Sequence, residues 1–321
     1  MSLLAYSVRR VLVAIPMLLG VAVLTFLVVH AAPGDPVYYL AGDGGTPGYY
    51  ALIRQKFGLD RPLLEQLARY LWTFLHGDLG RSLQQGQSVL SLILGRVPAT
   101  LLLVGTAFAL SSLAGVGLGA WVAPRADGAV DRIVLGATAV GSALPVFWTG
   151  LLLALCFALW LGWFPVQGMV SPRGAPAGWA GVGDLLRHLA LPAVALAIQP
   201  LAAFSRLMRV KMLEALAEPF ILTACAKGLA PNRILLHAAR TAVLPVITII
   251  GGHAGALITG AVLTETVFAW PGLGRLALDA TLTRDYPVIV GVVAIASVGT
   301  VIINLLTDVA YALVDPRVTY A

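Results

Sequence analysis

Glu214–Pro245 reads EALAEPFILTACAKGLAPNRILLHAARTAVLP, a polar passage in a chain otherwise built from long apolar runs. It holds Glu214, Glu218, Lys227, Arg233, His237 and Arg240, with Lys211 just ahead of it. Pro219 suits the first turn of a helix, where its missing N–H costs nothing. Phe220, Ile221, Ala224 and Cys225 recur at helical spacing, and Gly228 followed by Pro231 predicts where that helix stops. A short amphipathic helix with a basic rim, placed between two apolar spans, has two uses. It can lie on lipid headgroups, or it can dock in a groove of a soluble partner.

The surrounding chain fixes the solvent. Of 321 residues, 59% are hydrophobic and 11% charged, whereas a soluble domain carries about 25% charge. The bilayer is therefore the expected environment. A net charge of +6 and a pI near 9.6 suit a membrane protein whose Lys and Arg anchor cytoplasmic loops, and nucleic-acid binding is not expected. The apolar run from Val11 is too long for a signal-peptide core and lacks a cleavage pattern, so it reads as a retained span.

A spanning helix needs about 20 apolar residues. The candidate runs are Val11–Gly34, Val97–Pro124, Ile133–Pro172, Leu189–Ser205, Thr241–Thr264 and Tyr286–Thr307. The third has room for one span and an apolar segment outside it. The fourth is short and is expected to continue as helix past Arg206. Six spans put both termini on one side. With the N-terminus inside, Arg9, Arg10, Arg125, Arg132, Arg206, Arg209, Lys211, Lys227, Arg233, Arg240 and Arg317 are cytoplasmic. The short outer segments hold only Arg173, Arg187, Arg275 and Arg284. The first outer loop carries the other six bases, but loops of that length escape the positive-inside rule. Both termini and Glu214–Pro245 are thus expected in the cytoplasm. Cys156 and Cys225 then lie on opposite sides, which excludes a disulfide between them, and no metal-ligand spacing is present. The expected division is 1–34 (tail and first span), 35–96 (outer loop) and 97–321 (five-helix core with a cytoplasmic loop over 206–245).

In the outer loop, Leu67, Tyr70, Leu71 and Phe74 lie at helical spacing within Glu65–His76, predicting an amphipathic helix on the membrane surface or against the spans. Turn signatures stand around it at Pro33–Pro36, Gly58–Pro62 and Gly77–Ser82. Gly115, Gly117 and Gly119 look like a phosphate loop but sit inside an apolar run with no preceding strand. Small residues at that spacing let helices approach closely. Gly251, Gly252 and Gly255 either pack likewise or line a pathway. His253 is the one ionisable residue well inside a span, readable as a packed residue or as a proton relay. Glu265, Asp279, Arg284 and Asp285 cluster in sequence beside an outer face, as a docking rim or as an ordinary solvated loop.

Pro219-Phe220-Ile221-Leu222-Thr223-Ala224-Cys225-Ala226-Lys227-Gly228-Leu229, then His237-Ala238-Ala239-Arg240-Thr241 and Leu244-Pro245, resemble the "EAA loop" of ABC importer membrane subunits, in the form used by the dipeptide/oligopeptide/nickel subgroup. Thr241 stands where asparagine is usual there, and the Gly228-to-His237 gap is one residue shorter. The resemblance covers nearly the whole chain. It includes Gly77-Asp78-Leu79-Gly80-Arg81-Ser82, Arg96-Val97-Pro98-Ala99-Thr100-Leu101, Leu144-Pro145-Val146-Phe147-Trp148, Glu265 through Gly274, Arg284-Asp285-Tyr286-Pro287 and Asp315-Pro316-Arg317.

The resemblance implies an all-α integral membrane protein with six transmembrane helices of the type I ABC importer permease fold. It also implies a coupling helix between helices four and five that sits in a cleft of an ATPase. Glu218, Pro219, Phe220, Thr223, Ala224, Ala226, Lys227, Gly228, Leu229, Arg233 and Arg240 are then the ATPase-coupling residues. Glu265, Trp270, Asp279, Arg284 and Asp285 become candidates for an outer gate or binding-protein docking site. Gly252, His253 and Gly255 become candidates for the pathway wall. The implied partners are a homologous six-helix permease chain in a heterodimer, two P-loop ATPase subunits and an extracytoplasmic substrate-binding protein, all at a prokaryotic cytoplasmic (inner) membrane.

The chemistry agrees by what it lacks. Lys56, Lys211 and Lys227 are the only lysines, and none follows a Walker loop. No metalloprotease or serine-hydrolase motif is present. No catalytic residue, metal ligand or cofactor site is therefore expected, with ATP held by the partner subunits. The spans contain essentially no acids, which disfavours an ion-coupled secondary carrier, the alternative reading. A membrane scaffold would explain the hydrophobicity but not the Lys227-Gly228 loop. Dipeptides or oligopeptides are the expected cargo, with nickel, glutathione or sugars as alternatives within the same importer class.

Overall fold

The computed structural model describes residues 3–31, 46–172, 174 and 178–314. The Pro33–Pro36 turn, Asp315-Pro316-Arg317 and the expected boundary at 34/35 lie outside them. Helices in chain order are α1 (Leu3–Ala31), α2 (Pro47–Phe57), α3 (Leu63–Leu75), α4 (Val89–Val122), α5 (Ala129–Ala143), α6 (Val146–Leu153, continuing as a π-helical stretch to Trp160), α7 (Trp179–Leu216), α8 (Pro219–Ala226), α9 (Pro231–Val267), α10 (Leu273–Leu282) and α11 (Tyr286–Val314). Among the described residues there is no named strand.

Among the described residues four helices are long and apolar enough to cross a membrane: Val89–Arg125, Trp179–Leu216, Pro231–Val267 and Tyr286–Thr307. A fifth is reached if α5 and α6 count as one broken span, and α1 carries a shorter apolar stretch, Ile15–Val28. The third expected run is not straight. It bends by 109° between α5 and α6. Pro145 supplies no N–H and drives Leu144 out of the helical region, to ψ 132°. The fourth run extends as expected, with α7 continuing through Arg206 to Leu216. The expected boundary at 96/97 is corrected, because it falls inside α4. Val89 and Ile93 are fully buried, so the helix starts where its core contacts start.

The chain divides into two compact units, residues 1–100 with 271–302, and residues 101–270 with 303–321. In the first, Leu79, Val89, Ile93, Leu273, Leu276, Ala280, Val288 and Val292 form one apolar cluster. A Cβ on Gly291 would sit 2.6 Å from Val89, so α11 approaches α4 closely there. The predicted amphipathic helix is α3, and its apolar side stacks on α1: Phe26 lies 5.7 Å from Tyr70. Burial pushes the Tyr70 phenol up to about 12.

The second unit is centred on α7. Phe204, Met208, Met212 and Ala215 of α7 bury against Ile221 of α8 and Ala238, Ala242 and Val246 of α9. Gly115 and Gly119 face α7: a Cβ on Gly115 would lie 2.9 Å from the Leu201 carbonyl oxygen, and one on Gly119 2.8 Å from Met208 Cβ. Gly117 faces open space. The pair four residues apart thus does the close packing expected of the glycine run.

Candidate functional site

The coupling stretch folds as its residues dictate. Pro219 opens α8 at its first position, and Gly228, at φ +76°, closes it. The Leu229 N–H reaches back to the Ala224 carbonyl at 3.2 Å and the Gly228 N–H to that of Cys225 at 2.9 Å, which satisfies the last carbonyls. Pro231 then opens α9 directly. Arg233 and Arg240 therefore belong to the first turns of α9, beyond the end of α8.

One side of α8 is anchored and the rest is presented outward. Ile221 is 6% exposed within the α7–α9 cluster. Phe220 is 40% and Leu222 71% exposed. Glu218, Pro219, Thr223, Ala226, Lys227, Gly228, Arg233 and Arg240 are exposed too, and Ala224 and Leu229 are half-buried. An eight-residue helix showing apolar side chains beside Lys227, Arg233 and Arg240 has the composition of a docking knob, held by the two long helices on either side of it in sequence.

Three polar side chains of α7, which the sequence reading did not single out as site residues, tie that helix to the bent segment. Arg209 grips Asp131 with two hydrogen bonds of 2.6 Å, and Asp131 is 1% exposed. Arg206 donates to the Thr138 carbonyl at 2.8 Å and to Ser142 Oγ at 3.1 Å. Gln199 Nε2 donates to the Leu144 carbonyl at 2.7 Å, at the break between α5 and α6. The signal for them was available: Gln199, Arg206 and Arg209, 7 and 3 residues apart, fall on one face of the helix. Movement of α7 at its α8 end is thereby linked to α5 and the break by hydrogen bonds as well as by packing.

The pathway candidates separate. His253 and Gly252 are exposed, whereas Gly255 is buried, so Gly255 is corrected to a packing residue. Gly251 packs too: a Cβ there would run into Thr307, whose hydroxyl bonds the Gly251 carbonyl at 3.4 Å. The His253 ring lies perpendicular to that of Phe204, with centroids 5.4 Å apart.

The outer-face candidates do not form one exposed rim. In the second unit Glu265 and Trp270 are fully buried, and the Trp270 N–H bonds the Glu265 carbonyl at 2.8 Å. In the first unit Asp285 is buried and accepts from the Ser82 hydroxyl, the Leu83 N–H (3.0 Å) and the Gln84 N–H (3.3 Å). Two sequence motifs, Gly77–Ser82 and Arg284–Pro287, are thus halves of one latch. Asp279 is exposed beside Arg275, and Arg284 is half-buried with φ +53°. The buried side chains of Glu265, Trp270 and Asp285 hold structure and cannot touch a docked protein. Among the described residues no group of His, Cys, Asp and Glu could hold a metal.

Several apolar helices of membrane-crossing length define a multi-pass membrane protein, and the outward-turned α8 gives it a docking knob. The chain belongs to the family described as binding-protein-dependent transport system inner membrane component, whose model matches residues 115–320, with the N-terminal model of the same family matching 3–104. It is 38% identical to the dipeptide transport system permease protein DppB of Escherichia coli (strain K12) over 99% of both chains. It is 40% identical to a putative peptide transport system permease protein of Brucella abortus (strain 2308), over 98% of this chain and 99% of the relative. With the oligopeptide transport system permease protein AppB of Bacillus subtilis (strain 168) the identity is 38%, at the same coverage of 98% and 99%.

Proposed function

We propose that the chain forms half of the membrane pathway of an ATP-driven importer for dipeptides or oligopeptides. It crosses the membrane six times with both termini in the cytoplasm, α1 and the α5–α6 pair supplying the two spans beyond the four unbroken ones. It pairs with a second, similar permease chain. Of two ATPase subunits one docks on α8 of this chain and the other on the partner chain, and an extracytoplasmic binding protein delivers the cargo. The observation that carries this reading is α8: an apolar, basic-rimmed helix anchored by Ile221 and otherwise turned outward. A chain with no Walker loop needs its energy from elsewhere, and rigid-body rocking of helices driven through such a lever supplies it. The peptide cargo is supported by the relatives matched over nearly their whole length, which are permeases of a dipeptide and of an oligopeptide transport system.

The test is reconstitution in proteoliposomes with the partner chain, the ATPases and the binding protein. Labelled dipeptide is expected to accumulate only with ATP. Gly228→Asp is expected to insert normally, hydrolyse little ATP and transport little. Uptake by this chain alone under an ion gradient, or full transport by Gly228→Asp, would overturn the proposal.

A further inference from the structure

A cavity of about 270 Å³ opens in the second unit beside the α5–α6 break. Its walls include Ser142, Val146, Leu196, Gln199, His253 and Leu257. It lies against two of the membrane-crossing helices, α7 and α9. A hydrogen-bonding group left open at such a place is costly, so each polar lining residue needs an account.

Ser142 is occupied, donating to the Ala139 carbonyl at 3.0 Å and accepting from Arg206. The Gln199 amide nitrogen is occupied by the Leu144 carbonyl. Two groups are left. Among the described residues, Gln199 Oε1 and the His253 ring have no hydrogen-bond partner, and the ring lies perpendicular to that of Phe204. The cavity thus offers one amide oxygen, an acceptor only, and one imidazole able to donate. Arg206 is turned away to Thr138 and Ser142, and no acid lines the walls. A charged ligand end would find no counter-charge here. A neutral group with one N–H and one C=O would satisfy both, and the peptide link is that group.

We infer that Gln199 and His253 form a contact point for one peptide link of the passing cargo, Gln199 Oε1 accepting its N–H and His253 donating to its carbonyl. The inference rests on the peptide-importer reading. The cavity is smaller than the roughly 300–1,000 Å³ of whole-ligand sites. It has room for a link and a small side chain, which suits a pathway that holds cargo briefly and reads the feature all peptides share.

The experiment uses the complete reconstituted importer with saturating cargo, so that the binding protein is loaded in every arm. Three cargoes are compared: alanylalanine, its ester analogue without the link N–H, and its thioamide, whose sulfur accepts more weakly. Wild type is expected to turn over the ester about fivefold and the thioamide about threefold more slowly than the amide, the size of one hydrogen bond. His253→Leu is expected to slow the amide about fivefold and to erase the amide–thioamide difference. His253→Gln, which keeps a donor, is expected to retain both. Equal turnover of amide and ester by wild type, or an amide–thioamide difference surviving in His253→Leu, would overturn the contact point and leave the peptide importer standing. Failure of wild type to move alanylalanine or any longer alanine peptide would overturn both. The wild-type arm needs no variant to fold.

Discussion

Gly119→Ala places a methyl group where α4 meets α7. The new Cβ would strike the Ser205 carbonyl oxygen, lie 2.8 Å from Met208 Cβ and 3.0 Å from the Arg209 nitrogen. Carbon contacts settle at about 3.5–4.0 Å, so the helices must part by roughly 1 Å. Two of the three atoms hit are backbone and cannot swing away. Phe204 and Met208, at the heart of the second unit's core, would lose contact in the same step. Overpacking of this kind costs about 1–3 kcal/mol, and the upper end applies against backbone. Replacing glycine by alanine in a helix returns about 1 kcal/mol, leaving a net loss of about 2 kcal/mol. Gly117→Ala, two residues away with nothing within 4 Å of its Cβ, receives the helix gain alone. The assay is thermal unfolding of the purified chain in detergent, read by loss of helix signal. Gly119→Ala is expected to melt about 5 °C or more below Gly117→Ala. Equal midpoints would refute the close-packing argument.

Other consequences follow from the same geometry. Asp285→Ala leaves the Leu83 and Gln84 N–H groups without their acceptor, at about 1–3 kcal/mol, and trypsin is expected to cut faster at Arg81; unchanged cleavage would contradict the latch. Arg209→Lys keeps the charge but not the two-pronged grip on Asp131, so faster amide exchange is expected in α5, which an intact α5 protection pattern would exclude. The Tyr70 hydroxyl is buried with no partner among the described residues. Tyr70→Phe is therefore expected to be neutral or slightly stabilising. The folded-state value near 12 exceeds the ordinary 10, so wild type loses stability as pH rises from about 10 to about 12, when the unfolded chain ionises first. Tyr70→Phe should lack that loss, and identical pH profiles would show that the phenol is not buried.

Much of the fold was legible because membrane spans announce themselves by length and composition. The α8 helix was legible from Pro219 and Gly228, whose backbone restrictions act locally. The glycine pair at 115 and 119 was legible in role, although the sequence could not say that Gly117 between them faces open space. The break after Leu144 was missed for want of weight on Pro145 inside an apolar run. A hydropathy average cannot see a lost N–H. Asp285 and Glu265 read as surface charges because burial of an acid depends on distant partners, here Ser82, Leu83 and Gln84 for Asp285. The Arg209–Asp131 grip joins residues 78 apart in sequence, beyond any periodicity argument.

The central claim is that α8 is covered by an ATPase, and Cys225 provides a native probe of it. Cys225 lies on α8 and is exposed, while Cys156, half-buried, serves as the internal reference. Maleimide labelling of the chain alone and of the assembled importer should show Cys225 reacting rapidly in the first and at least about tenfold more slowly in the second, with Cys156 unchanged. Equal labelling of Cys225 in both would contradict the account.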